Sequence, residues 1–233
     1  MLPTDCLHSL VVDFGHAAAP VRAVFEFSRE ELRGFLSQAA KAGAPLLLIG
    51  TSRALHLVST GSGHLRAFRP VLLRIRERAH NAEGWRALPV RAATGSDSAR
   101  CLLREVVPAV GCEPEALHFM SELRAAAELS RTWGAFSAEL ASLIGMTERA
   151  CARICEETRL GFPGSSGAEL ELETLVAERI VEEELVGWQS SYPAARSSHR
   201  PLSDPELLPF EGNERHSMIR LRAASVLSKL RTA

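Results

Sequence analysis

Two short apolar runs mark the first part of the chain. Leu7-His8-Ser9-Leu10-Val11-Val12-Asp13-Phe14 ends at Gly15, and Pro45 to Ile49 carries an unbroken aliphatic stretch. Both are short, rich in β-formers and bounded by turn residues, which predicts buried strands of one sheet. Between them the spacing becomes helical, with Leu32, Phe35, Leu36 and Ala39 on one face. Ser28 with Glu31 three residues on is a capping-box pattern and sets the start of that helix. A strand, a helix and a second strand in this order predict an α+β domain. After Val58 and the Gly61-Ser62-Gly63 turn, the pattern predicts a helix from His64 to Ala79 and a strand near Leu88 to Ala92. Two more helices follow, over Pro114 to Ser130 and Ser137 to Thr158.

The helical pattern then breaks. Phe162-Pro163-Gly164-Ser165-Ser166-Gly167 cannot continue a helix without cost, because proline lacks the donor and glycine the conformational bias. From Ala168 to Trp188 a strongly acidic helix is expected, with Leu172, Leu175, Val176, Ile180 and Leu185 as a stripe that needs a covering partner. Gln189 to Gly212 carries Pro193, Pro201, Pro205 and Pro209 among serines and reads as an irregular connection. Glu214 to Arg231 returns to helical spacing, with Ile219, Ala223, Val226, Leu227 and Leu230 on one side.

Composition narrows the class. At 233 residues, 46% hydrophobic and 24% charged, the chain is long and apolar enough for one well-buried domain with a tail. A formal net charge of -1 supplies no global attraction to nucleic acid or membrane, so any such attraction is local. Aromatic content of 6% argues against stacking platforms for single-stranded nucleic acid. The opening Met1-Leu2-Pro3-Thr4-Asp5 has no basic and apolar pattern of a signal peptide, and no apolar run approaches the ~20 residues of a bilayer span. Cys6, Cys101, Cys112, Cys151 and Cys155 are odd in number and scattered, which points to a reducing cytoplasm. Cys151 and Cys155 share a helix face without two further ligands nearby, so no metal site is expected there.

Leu47-Leu48-Ile49-Gly50-Thr51-Ser52-Arg53, an apolar run ending in a polar turn, resembles the active-site loop of glutamyl-tRNA reductases, which reads Ser-Thr-Cys-Asn-Arg after its own apolar run. Further stretches resemble that family in the same order. They are Phe14-Gly15-His16-Ala17-Ala18-Ala19-Pro20-Val21, Phe27-Ser28-Arg29-Glu30-Glu31-Leu32 and Ala93-Thr94-Gly95-Ser96-Asp97-Ser98. Val110-Gly111-Cys112-Glu113-Pro114, Glu157-Thr158-Arg159-Leu160-Gly161 and Ile180-Val181-Glu182-Glu183-Glu184-Leu185 complete the series. The resemblance implies a catalytic-domain-like unit over 1–161, a short linker at 162–167 where the family carries its NADPH domain, and a shortened dimerisation-like helical tail over 168–233, broken at 189–212. A homodimer is the corresponding expectation.

The departures from the family bear on chemistry. Thr51 stands where the family has its nucleophilic cysteine, and a threonine hydroxyl, unlike a thiol, holds no anionic fraction at neutral pH. Leu88 stands where the resemblance would place the family's histidine, and no G-x-G-x-x-G follows a strand, so NADPH is not an expected cofactor. The resemblance therefore implies a non-reducing homologue, a binding or regulatory protein linked to tetrapyrrole (haem) metabolism or to aminoacyl-tRNA. Its partner would be a tetrapyrrole, an aminoacyl-tRNA or a protein of the tetrapyrrole pathway. The alternative is an enzyme that reuses the pocket for aminoacyl-ester hydrolysis or transfer without NADPH, with Thr51 or a water acting and Arg53 orienting the substrate. His56 would serve as a base only if the turn folded it back, and an ordinary surface histidine is the simpler expectation.

The candidate ligand-binding residues are Thr51, Ser52 and Arg53 in the turn, with Arg66, Arg69, Arg74, Arg76 and Arg78 in a basic stretch opposed only by Glu77. That stretch would hold phosphates or propionates, or it is the polar face of a helix that buries Val71, Leu72 and Ile75, and the sequence leaves both readings open. Arg53 divides in the same way between a carboxylate or phosphate ligand and a solvated strand end. His118 and Met120 are candidate haem ligands against a reading as packing or surface residues. Asp97 and Ser98 are expected to brace the helix after a turn.

Overall fold

The computed structural model describes residues 7–80, 85, 88–105, 113–159 and 167–191. Strand β1 (Leu7–Asp13) is followed by a single helical turn α1 (Ala19–Arg22), a 3₁₀ turn (Ala23–Phe25) and helix α2 (Arg29–Lys41). A hairpin of β2 (Leu46–Gly50) and β3 (Ala54–Thr60) leads to α3 (His64–Ala79), β4 (Val90–Thr94) and α4 (Ser96–Leu103). Three longer helices complete the described chain: α5 (Glu113–Thr132), α6 (Ala138–Arg159) and α7 (Gly167–Ser191). The fold is mixed helix and sheet. Its four strands lie in the order β2-β3-β1-β4, and each neighbouring pair is antiparallel.

Helices cover both faces of the sheet, which explains the unbroken apolar runs. Alternate residues of Leu46-Leu47-Leu48-Ile49 enter different cores, Leu46 and Leu48 with α2 and α3, Leu47 and Ile49 with α4 to α7. A strand solvated on one face would alternate apolar with polar, and these do not. The β2 edge is closed by the α5–α6 junction. Ser130 Oγ donates to the Leu46 carbonyl at 2.7 Å, and Leu46 N donates to the Ala135 carbonyl at 2.8 Å. Gly134, at φ 72°, supplies the left-handed residue that turns the chain back onto that edge. The opposite edge, β4, stays half exposed.

The Ser28–Glu31 capping box forms as expected: Ser28 Oγ accepts from Glu31 N at 3.2 Å and Glu31 Oε2 from Ser28 N at 2.9 Å. Several expectations need correction. The strand sought at Leu88 to Ala92 runs from Val90 to Thr94, because the backbone enters the ladder only after Pro89, whose carbonyl accepts from Asp13 N at 3.0 Å. Strand β3, from Ala54 to Thr60, is a full strand where the sequence placed only Val58 ahead of a turn. Ser98 braces a strand more than a helix, its hydroxyl donating to the Leu7 carbonyl at 3.3 Å, while Asp97 pairs with Arg100 at 3.0 Å.

The acidic helix α7 has its covering partners in α6 and α4. Arg149 and Arg153 of α6 reach Glu184 at 3.1 Å each, Arg153 reaches Glu183 at 2.7 Å, and Arg100 of α4 reaches Glu182 at 2.9 Å. Leu175 does not belong to the buried stripe and is 61% exposed. It lies about 140° around the helix from Ile180 at 100° per residue, so one partner cannot cover both. Among the described residues Ala177, Ile180, Val181, Leu185 and Trp188 are buried, and Val176 packs partly buried against them. The helix also extends to Ser191, three residues into the stretch expected to be irregular. The linker at 162–166, the rest of the Pro-rich stretch and the helix expected over 214–231 lie outside the described residues. Among the described residues no helix is long and apolar enough to cross a membrane.

Candidate functional site

The β2–β3 turn is built by its own threonine. Thr51 Oγ1 donates to the Ala54 carbonyl at 3.1 Å and accepts from Arg53 N at 3.2 Å and Ala54 N at 2.9 Å. Thr51 N also donates to the Ala54 carbonyl at 2.9 Å. A hydroxyl offers one donor and two lone pairs, so this side chain is fully occupied by the turn. Phe14 N then donates to the Arg53 carbonyl at 2.8 Å, which ties the end of β1 to the same turn.

On the α2 side of this turn lies a cavity of about 510 Å³, within the range of small-molecule sites. Phe14 and Phe25 stack in its wall with ring centroids 4.7 Å apart, and both are buried. The 3₁₀ turn sends Phe25 inward, leaving Arg22 and Glu26, both exposed, at the rim. Leu32 of α2 and Leu48 of β2 extend the apolar lining, and Thr51 and Ser52 form one lip. Helix α5 closes the far side with Glu122, Ala125, Ala126 and Leu129, a spacing that puts all four on one helix face. No histidine or cysteine is among the lining residues.

Only two of the ligand-binding candidates from the sequence reach this cavity, Thr51 and Ser52. Arg53 is exposed and does not line it; its charge acts instead at Glu105, on the other face of the sheet. Arg66, Arg69, Arg74, Arg76 and Arg78 lie on α3 away from the cavity. Two of them are already engaged, because Glu31 accepts from Arg74 Nε at 2.6 Å and from Arg78 Nη2 at 2.7 Å. The basic stretch is thus opposed by Glu31 as well as Glu77. The hydrogen bond from Ser28 N and the one from Arg74 Nε hold the Glu31 carboxyl down at about 2. His118 is exposed and Met120 is packed in the core, on different sides of α5, and neither lines the cavity.

His56 is not a surface residue. It is 1% exposed on β3, faces Phe119, and carries Nε2 3.7 Å from Glu105 Oε1. Alternation along β3 buries it between the sheet and α5, where it pairs in register with Ile49 and Val11 rather than with Thr51. Desolvation, with Arg91 adding to it, lowers its pKa to about 4. His8 and His64 form a second buried pair, stacked with centroids 3.6 Å apart. Burial, and then His64, lower His8 to about 3; burial also lowers His64, against the Gly61 carbonyl 3.2 Å from its Nδ1.

Arg22, Glu26, Phe27, Leu32 and Glu122 were missed by sequence reasoning. A signal existed, since four of the nine phenylalanines fall within residues 14–35 of a chain poor in aromatics. Among the described residues no group of three or more His, Cys, Asp or Glu side chains could hold a metal ion. No family model matches the chain, and no curated protein matches it. Among solved structures the chain is distantly similar to the glutamyl-tRNA reductase from Methanopyrus kandleri, at 16% identity and a TM-score of 0.48. The match covers 78% of this chain and 47% of that one, so this chain spans about half the length of the protein it matches.

Proposed function

We propose that the chain is a non-reducing relative of glutamyl-tRNA reductase that works as a binding or regulatory protein, with its ligand seated in the cavity beside the β2–β3 turn. The ordered motifs from Phe14-Gly15-His16 to Glu157-Thr158-Arg159 support the kinship, and the pathway would be tetrapyrrole or aminoacyl-tRNA metabolism. One observation carries the choice of binding over catalysis. Thr51, at the position of the family's nucleophile, has its hydroxyl engaged by three hydrogen bonds inside the turn, with no histidine among the residues around the cavity to take its proton. Thr51 shapes the lip of a pocket.

The test is to supply glutamyl-tRNA with and without NADPH and to follow semialdehyde formation and deacylation. The binding reading expects neither to exceed the rate without protein, in the parent and in Thr51→Ser alike. Deacylation that the parent catalyses and Thr51→Ala abolishes, with the fold intact by circular dichroism, would overturn it in favour of an aminoacyl hydrolase or transferase.

A further inference from the structure

We propose that the cavity beside the β2–β3 turn selects an apolar organic ammonium, a hydrophobic group joined to a protonated amine. This rests on the pocket reading above and specifies its ligand. The apolar part follows from the wall, where the stacked Phe14 and Phe25 rings, Leu32 and Leu48 offer no hydrogen-bonding side chain. The cationic part follows from the rim.

Three charged side chains line the cavity, Arg22, Glu26 and Glu122, two carboxylates against one guanidinium and so a net charge of -1. Glu26 follows the 3₁₀ turn and Glu122 stands on α5 across the opening. Among the described residues none of the three has an ion-pair partner. The neighbouring charges differ in this respect. Arg78 donates to the backbone carbonyl of Glu26 and to the carboxylate of Glu31, so it fixes the position of residue 26 while the carboxylate of Glu26 keeps no cation of its own. A carboxylate beside an apolar wall loses hydration when a ligand enters, and only a ligand that brings a positive charge or donors restores it. A dicarboxylate or a phosphate would meet a net negative rim, with Arg22 as its single attraction. The same Arg22 suits a carbonyl acceptor next to the amine.

The experiment uses the full chain and isothermal titration at pH 6, where an α-amine is protonated. The probes are phenylalanine methyl ester, methyl 3-phenylpropanoate, which is the same ester without the amine, and glutamate and haemin as anionic compounds. The amino ester is expected to bind at least roughly tenfold more tightly than the deaminated ester. Glu26→Gln, exposed, and Glu122→Gln, half-buried, both checked for folding by circular dichroism, should each remove most of that difference and leave the deaminated ester unaffected. Ala125→Trp, at an exposed position that lines the cavity, should abolish binding of both esters. Equal binding of the two esters, or tighter binding of glutamate or haemin that Ala125→Trp abolishes, would overturn the ammonium proposal and leave the pocket standing. Binding of no probe, or binding indifferent to Ala125→Trp, would overturn the pocket reading as well.

Discussion

Thr51 shows how a single position can hold a family's chemistry in sequence and a different role in structure. Its hydroxyl closes a two-residue turn, so Thr51→Val should lower stability by about 1–3 kcal/mol through three lost hydrogen bonds, while Thr51→Ser should stay near the parent in chemical denaturation. The buried histidines act through pH. His8 at about 3 and His56 at about 4 are neutral in the fold, whereas the unfolded chain takes up protons near 6.5. From pH 7 downward the unfolded state therefore binds more protons, and stability falls through the window from 6.5 towards 4 and 3. Glu31, held at about 2, extends the loss below pH 4.5, and Glu105, whose carboxyl burial pushes up, opposes it in part. The urea midpoint should drop between pH 7 and pH 5, and a flat profile would contradict the buried neutral imidazoles.

Helix α2 was legible from its residues because its signal is local. A serine and a glutamate three apart satisfy each other's backbone donors regardless of what packs nearby. What the spacing could not tell is that Glu31 also clasps Arg74 and Arg78 from α3, more than forty positions on. Ser28→Ala should cost about 1 kcal/mol. Glu31→Ala should cost more, since it also leaves Arg78 without its carboxylate and Arg74 with Glu77 alone, and Glu31→Gln should fall between the two alanine variants in denaturant titrations. Strand β3 was not legible because its polar members, His56, Ser59 and Thr60, are buried, and polarity then ceases to mark the solvent side. The stripe of α7 held at Val176, Ile180 and Leu185 and missed at Leu175. Its apolar residues spread round the helix, and the neighbours α6 and α4 decided which of them entered the core.

For the whole molecule the decisive fact is a sheet covered on both faces, with α7 closing the second layer. Trp188 anchors that closure, 4% exposed and donating from Nε1 to Ser142 Oγ at 3.0 Å. Trp188→Ala should cost about 3–5 kcal/mol, far beyond any one of the surface ion pairs between α6 and α7, and thermal unfolding of the variant would measure it. The sequence by itself determined β1, α2, β2, α3 and the two long helices before the break at 162–167, the capping of α2 and the turn at Thr51, because each depends on neighbours within a few positions, but not α1, the 3₁₀ turn or β3. Only the tertiary structure decided that Arg53 and the α3 arginines stay out of the cavity while Arg22, Glu26 and Glu122 line it. The cavity joins a strand end, a 3₁₀ turn and a helix about a hundred residues away. No periodicity along the chain records contacts across that separation, because chain closure over it is fixed by packing and not by local conformation.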